Sequence, residues 1–373
     1  MRKKITGAVI ASLALALVAS TAPIASAAPK AAAIAKVGDD CIKAGRTAPG
    51  RGVEGSDLTC LVVTTGSLKG ELKWWYKNVT PLTKLEWVAS SGVGGGYGTT
   101  AIAFADAMKA EGMLSDYTVS YKSGGSGTVG LGYFLDQKAR KDIAFITGFA
   151  MLAGVASTKS ALKPEDSIAG PGLMREYEAI VVPANSKYRN INQLLDDIKA
   201  DPKIPFAGGS KGTVDHVYLG LLLSKVGVKA VDINYIPYSG GQDVAISVLG
   251  GQTVAGVSGT SEFTSYVKSG KLRVLALSSP KRLASIKGST LVAQGIDFTY
   301  SNWRGVMLPS SLSEAERVNW LKAAELTRAG ATWKATLVAK DWRNLDESGK
   351  TFVSFLAAQK KEITATLVSL GLA

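Results

Sequence analysis

The sequence predicts an α/β protein of two lobes with a cleft between them, and three observations carry that prediction. From Lys84 onward, short runs rich in β-branched and aromatic residues alternate with helix-period segments, the pattern of parallel sheets covered by helices. About 346 residues follow the leader described below, more than one hydrophobic core supports and comfortable for two. Two further runs, EAIVVP (178–183) and NWRGVMLP (302–309), stand between the two groups of elements and read as the strands by which the chain crosses over and returns.

The first residues bear on the compartment. Arg2, Lys3 and Lys4 precede an apolar run from Ile5 to about Val18, and Ala25-Ser26-Ala27 supplies small residues for cleavage after Ala27. Export is expected, to the periplasm or the cell surface. Val37-Gly38-Asp39-Asp40 before Cys41 is no lipobox. The leader contributes three cations to a net charge of +13, so the mature chain carries 40 basic against 30 acidic side chains, a net +10. No Lys/Arg cluster with interleaved aromatics accompanies that excess, so nucleic acid is not the expected partner. A diffuse positive field that draws small anions fits better. Cys41 and Cys60 are the only cysteines, and in an oxidising compartment they are expected to pair. With one histidine, His216, in the whole chain, no metal site is expected.

Residues 28–36 read as an Ala-rich linker, and residues 37–80 as a small disulfide-stapled segment built on a β-hairpin and ending in Trp74-Trp75-Tyr76. Residues 81–183 with 298–373 are expected to form the first lobe, and 184–297 the second. LEWVAS (85–90) is a strand leading into GVGGGYGTT, after which Ala101, Phe104, Ala105 and Met108 mark a helix stopped by Gly112. YTVSY (117–121) is followed by GGSGTVG and a helix, and DIAFIT (142–147) ends at Gly148-Phe149. In the second lobe a helix over about 191–200 leads to the strand IPFA (204–207). GGSKGTVDH then opens a helix stopped by Gly227. INYIPY, SGGQD with its helix, TVAGVSG, a helix and LRVLALSS complete the lobe. Ser313-Glu314-Ala315-Glu316 is a capping box for the first terminal helix.

Gly-rich loops between strand and helix turn backbone N–H groups and the positive helix end toward the crevice beyond the strands, where anions bind. GVGGGYG in one lobe and GGSKGT in the other are expected to face each other there, with Thr213 able to cap a helix and Ser210 adding a hydroxyl. Two enzyme signatures are present but incomplete. Gly125-Ser126-Gly127-Thr128-Val129-Gly130 matches a dinucleotide fingerprint, yet only Asp142 is near the acidic position such a site needs, and it opens a strand. No cofactor is expected. Gly208-Gly209-Ser210-Lys211-Gly212 matches a nucleophile elbow, the pattern of an exported serine hydrolase using Ser210. Its only available base, His216, lies six residues on at the same helix start, where it is badly placed to serve that serine. The expectation is that the protein is not an enzyme.

The ordered motifs GVGGGYG, SGGSGTVG, EYEAIVVPANS, AGGSKGTVDH, YSGGQD, LGGQTVAGVSG, SGKLRVLALSSPKR and NWRGVMLP resemble the receptors of tripartite tricarboxylate transporters, the TctC-like or Bug family, over about Leu85 to Ala373. The resemblance implies a type II periplasmic-binding fold and a small organic carboxylate as ligand, citrate-like or a related dicarboxylate. It also implies delivery to one large and one small integral membrane subunit, although a carboxylate sensor would look the same. Carried over, the ligand contacts would be Gly95, Gly96, Tyr97, Gly148 and Phe149 from the first lobe. From the second they would be Gly209, Ser210, Gly212, Thr213, Tyr238 and Ser239. Val93 and Gly98 stand where the family often has Pro and Asp. A multiply charged carboxylate also calls for a cation, and Arg304, with Trp303 beside it, is the better candidate than Lys211 because its planar fork grips a carboxylate through two bonds.

Overall fold

The computed structural model describes residues 34–229 and 232–373. The leader and most of the expected linker lie outside the described residues. Among the described residues, no helix is long and apolar enough to cross a membrane.

The cysteine segment is a three-stranded antiparallel sheet, β1 (Thr47–Ala48), β2 (Leu58–Val62) and β3 (Leu72–Trp75), rather than a lone hairpin. Cys41 and Cys60 are bonded. The segment does not stand apart. Leu58, Val63, Trp75 and Tyr76 are buried in the same core as the first lobe. Gly38 packs against Ala329, where an added Cβ would lie 2.8 Å from that side chain. Arg317 reaches Glu54 at 3.2 Å, and Glu111 accepts from both the backbone and the hydroxyl of Ser67. A polypeptide this short cannot bury a core alone, so it borrows one.

The first lobe is built on β4 (Leu82–Ala89), β5 (Leu114–Tyr121), β6 (Ile143–Gly148), β7 (Ile168–Pro183) and β12 (Ser301–Leu308). Its strand order is β5-β4-β6-β12-β7, with β4 parallel to β5 and β6. Helices α1 (Gly96–Ala110), α2 (Thr128–Asp136) and α3 (Phe149–Ser157) follow β4, β5 and β6. In the second lobe, α4 (Ile191–Ala200) precedes β8 (Phe206–Gly208), α5 (Val214–Lys225) and β9 (Tyr235–Pro237). Then come α6 (Gly241–Leu249), β10 (Ala255–Gly259), α7 (Thr260–Lys268) and β11 (Leu272–Leu277). Helix α4 shows why the local pattern works: Ile191, Leu194, Leu195 and Ile198 form one buried stripe, and the Asn190 side chain accepts from the Gln193 N–H at its start. The chain ends in α8 (Glu314–Ala329), with the expected capping box, α9 (Ala331–Ala339), β13 (Arg343–Asn344) and α10 (Lys350–Ser369).

Strand β7 joins the lobes. It is sixteen residues long, where the apolar run alone marked only 178–183. Ile168 to Tyr177 pair with β12; from Glu178 onward the strand pairs with β10 and β11. The exchange of partners thus falls at Tyr177–Glu178, earlier than the end of the apolar run at Val182-Pro183, because Gly-, Met- and Glu-containing sequence before it carries no apolar alternation to read. Beyond that point the strand is two-sided. Ile180 and Val182 enter one core with α4 and α5, while Ala179 and Val181 enter another with α6 and α7. Ser278, just past β11, clasps both crossings. Its hydroxyl accepts from the Glu178 N–H at 2.8 Å and donates to the Tyr300 carbonyl at 2.7 Å.

Candidate functional site

Between the lobes lies a cavity of about 540 Å³, and what converges on it is mainly backbone. Helices α1, α2, α5, α6 and α7 all begin at its wall. Their N-caps are Gly95, Gly127, Thr213, Gly240 and Gly259, each of which lines the cavity and none of which provides a side-chain cap. The first N–H groups of a helix have no partner within it, and the helix dipole makes that end positive. Five such ends at one space gather the kind of donors that suit an anion. Thr213, expected to cap α5, instead turns its hydroxyl back to donate to the Ser210 carbonyl.

The glycines are needed where the chain bends most. Gly124, Gly125, Ser126 and Gly127 all have positive φ, a run that a chain of ordinary residues would not hold. At Gly96 the constraint is space: an added Cβ would sit 2.3 Å from Nη2 of Arg304.

Nine of the twelve residues singled out from the sequence line this cavity: Gly95, Gly96, Tyr97, Gly209, Ser210, Thr213, Tyr238, Ser239 and Arg304. Gly148, Phe149 and Gly212 do not. Gly148 and Phe149 form the buried start of α3, next to Tyr97, whose hydroxyl accepts from the Met151 N–H at 2.9 Å. Burial pushes that phenol up to about 12, so it is a neutral hydroxyl. Gly212 lies where the loop before α5 meets α3, packed against Ser157. Its N–H donates to Nδ1 of His216, whose ring stacks on Tyr235. Burial, and then the charge of Lys211, hold His216 down at about 4.

Arg304 is 6% exposed, and it has a protein partner: Nη1 lies 2.9 Å from Glu176, which is fully buried. The same nitrogen lies 3.3 Å from the Thr100 hydroxyl, and the guanidinium sits over the Tyr97 ring. All of its side-chain hydrogen bonds among the described residues leave from Nη1. The arginine is therefore pinned through one nitrogen, with Nη2 held beside Gly96 at the cavity wall.

Several lining residues were not anticipated. The loop Gly124–Gly127 was set aside with the dinucleotide match, although it follows a strand and opens a helix like the others. Ser90 and Ser91 extend β4 into the cavity. Asp215 and Glu262 carry no signal in the sequence, since an acid in the first turn of a helix is ordinary. In the structure both line the cavity. Asp215 accepts from the Gly209 N–H at 2.7 Å and Glu262 from the Ser258 hydroxyl at 3.2 Å.

A long strand shared by two α/β halves and a cleft walled by helix N-termini define a solute-binding protein of the periplasmic type. A family model described as tripartite tricarboxylate transporter family receptor matches residues 166–370. The chain belongs to that family, as its motifs implied. It is 26% identical over 196 residues to a UPF0065 protein encoded in the gbd 5′ region of Cupriavidus necator, covering 52% of this chain and 59% of the relative. The chain thus spans between 40% and 60% of the length of the curated relatives it matches. A TctC solute-binding protein from Polaromonas superposes with a TM-score of 0.58 at 23% identity, over 77% of this chain and 98% of that one. Malate-bound MatC from Rhodopseudomonas palustris gives 0.66 at 12% identity, over 77% and 100%. These likenesses show the two-lobed fold.

Proposed function

We propose that the protein is an extracytoplasmic receptor that holds a small carboxylate, a dicarboxylate or a citrate-like tricarboxylate, and passes it to the large and small membrane subunits of a tripartite transporter. One observation carries the reading: five helix N-termini without side-chain caps meet at a single cavity. Family membership and the malate held by a protein of the same fold support it. On this reading the leader is cleaved after Ala27, and residues 81–183 with 298–373 close against 184–297 about the clasp at Ser278. The ligand contacts are the loops at Gly95–Tyr97 and Gly209–Ser210, Thr213, Tyr238, Ser239 and the free side of Arg304.

An esterase built on Ser210 is disfavoured by the same geometry, because Nδ1 of His216 already accepts a hydrogen bond from the Gly212 N–H and the ring is stacked against Tyr235. The protein is read as a binder and not as an enzyme. A thermal-shift screen of mono-, di- and tricarboxylates on the mature chain tests this directly. A carboxylate at 100 times its dissociation constant stabilises the fold by about 2.7 kcal/mol. Absence of any shift across the panel, with no fall in the radius of gyration by small-angle scattering, would sink the proposal.

A further inference from the structure

We infer that Asp215 and Glu262 are ligand-binding groups in their protonated form, so that the cleft takes up at least one proton when it captures a carboxylate with more than one charge. This rests on the carboxylate reading above and adds to it the side chains that meet the far end of the ligand.

The argument starts from an apparent mismatch. Two acids line a cavity otherwise furnished with donors, and they are held as a pair: Asp215 near the start of α5 and Glu262 in the first turn of α7, with Ser258 of β10 between them. Behind them, on the same face of β7, stand Glu176 and Glu178, both fully buried. Glu176 is satisfied by Arg304 and the Ser261 hydroxyl. Neither oxygen of Glu178 has a partner among the described residues. The positive charges that face this group are few. Arg304 is tied to Glu176, and Lys211 is exposed at the rim. His216 is neutral, and the Tyr235 and Tyr300 hydroxyls are held neutral by burial. Asp243, on α6, adds a further acid at the exposed edge.

If every acid were ionised, a ligand dianion would enter a net negative floor in a desolvated space, which Coulomb repulsion opposes. A protonated carboxyl removes the charge and supplies an O–H donor to the ligand carboxylate, a short and strong kind of hydrogen bond. The cleft is prepared for that state. Burial first, then the charges of Glu262 and Glu176 at Asp215 and that of Glu176 at Glu262, push each up to about 7, against a lowering by the Gly209 N–H and by Arg304 respectively. Burial also pushes Glu178 well above the ordinary carboxylate range. An arriving carboxylate raises the pair further, and the difference is proton uptake.

The experiment is titration calorimetry of the mature protein with citrate, malate and adipate at pH 5.5 to 8.5, run in phosphate and in Tris so that the difference in heat counts protons. Expected is uptake of about one proton near pH 7 and an affinity that is flat below that value. Above pH 7 the affinity should fall by nearly tenfold per pH unit. The Asp215→Asn and Glu262→Gln variants should flatten the profile. Proton release, or an affinity that rises with pH, would mean that the ligand brings its own cation to these acids, and would overturn the inference while leaving the receptor reading intact. PH-independent binding would overturn it too. Silence of all three ligands at every pH would overturn both. If the variants fail to fold, the two-buffer proton count on the unaltered protein decides alone.

Discussion

The two walls of the cleft are made from the same device and differ in charge. On the first-lobe side the lining is Ser90, Ser91, the loops at Gly95 and Gly124, Asn302 and Arg304, with no acidic side chain. On the second-lobe side the loops at Gly209 and Gly240 are joined by Asp215, Asp243 and Glu262, which are all the acids in the lining. One wall is fixed as a donor surface. The other has helix ends of the same kind, but its acidic side chains are donors only when they are protonated. The lesson is that a glycine loop at a helix start says where an anion goes, while the neighbouring side chains say under what conditions it stays.

The largest effect is expected from breaking the first wall at Arg304. Arg304→Ala leaves Glu176 buried without its ion pair and should cost about 3–5 kcal/mol of stability, read by urea unfolding, together with ligand binding. Replacing both partners with apolar residues, Arg304→Met with Glu176→Leu, should recover most of the stability and none of the binding. Recovery of binding in the double variant would show that the arginine serves only its glutamate.

Next in size is a control placed away from both walls. No described residue before Ser90 lines the cavity. Replacing Cys41 and Cys60 with serine opens a loop of 19 residues and should cost about 3 kcal/mol in the chain-entropy model. Carboxylate affinity should change less than threefold. A tenfold loss would mean that the cysteine segment, through its shared core with the first lobe, sets the geometry of the donor wall.

The two walls also differ in how far sequence alone exposes them. Strand and helix alternation, the capping box at Ser313 and the α4 stripe are periodic signals, so those elements are legible. Glycine loops at Gly95 and Gly209 are legible for the same reason, being punctuation between periods. Arg304 was legible as a cation near the cleft, but its partner Glu176 was not. That contact joins β12 to β7 across 128 residues of chain, and the first half of β7 has no apolar alternation. Asp215 and Glu262 were illegible because their significance is burial, and burial is a property of the assembled lobes. The cysteine segment looked separable because its dependence on α8 and Glu111 is likewise tertiary.

A third effect, intermediate in size, sharpens the second wall without any ligand. Asp215 and Glu262 have folded pKa values near 7, above their unfolded values, so the folded state binds more protons between about pH 4 and 7. Their contribution is complete below that window and is lost as pH rises through it. His216, held near 4, acts oppositely between 4 and 6.5. Glu178, also raised by burial, is a third acid, so three acids against one histidine leave about two net protons below pH 6.5, each a decline of about 1.4 kcal/mol per pH unit. Unfolding measured at pH 5 and pH 7 should show the fall, and the Asp215→Asn, Glu262→Gln double variant should remove it. An unchanged slope would place the acids in solvent contact and end the contrast between the walls.

The smallest predicted effect tests whether the donor wall is as fixed as its composition suggests. Tyr97 reaches across from α1 to accept the Met151 N–H, one of the free groups in the first turn of α3. It is in effect a cap supplied from another helix. Its ring also packs beside Gly148 and under the Arg304 guanidinium. Tyr97→Phe keeps the ring and removes the acceptor, leaving one buried N–H unpaired at a cost of about 1 kcal/mol. Because the hydroxyl is turned to Met151 of α3 while the ring, which the variant keeps, is what lines the cavity, the loss should register in thermal unfolding and barely in affinity, a change under threefold. An affinity loss of tenfold or more, with stability unaltered, would mean that α3 feeds the site through Ala150 and that the donor wall is held in place by this single hydroxyl.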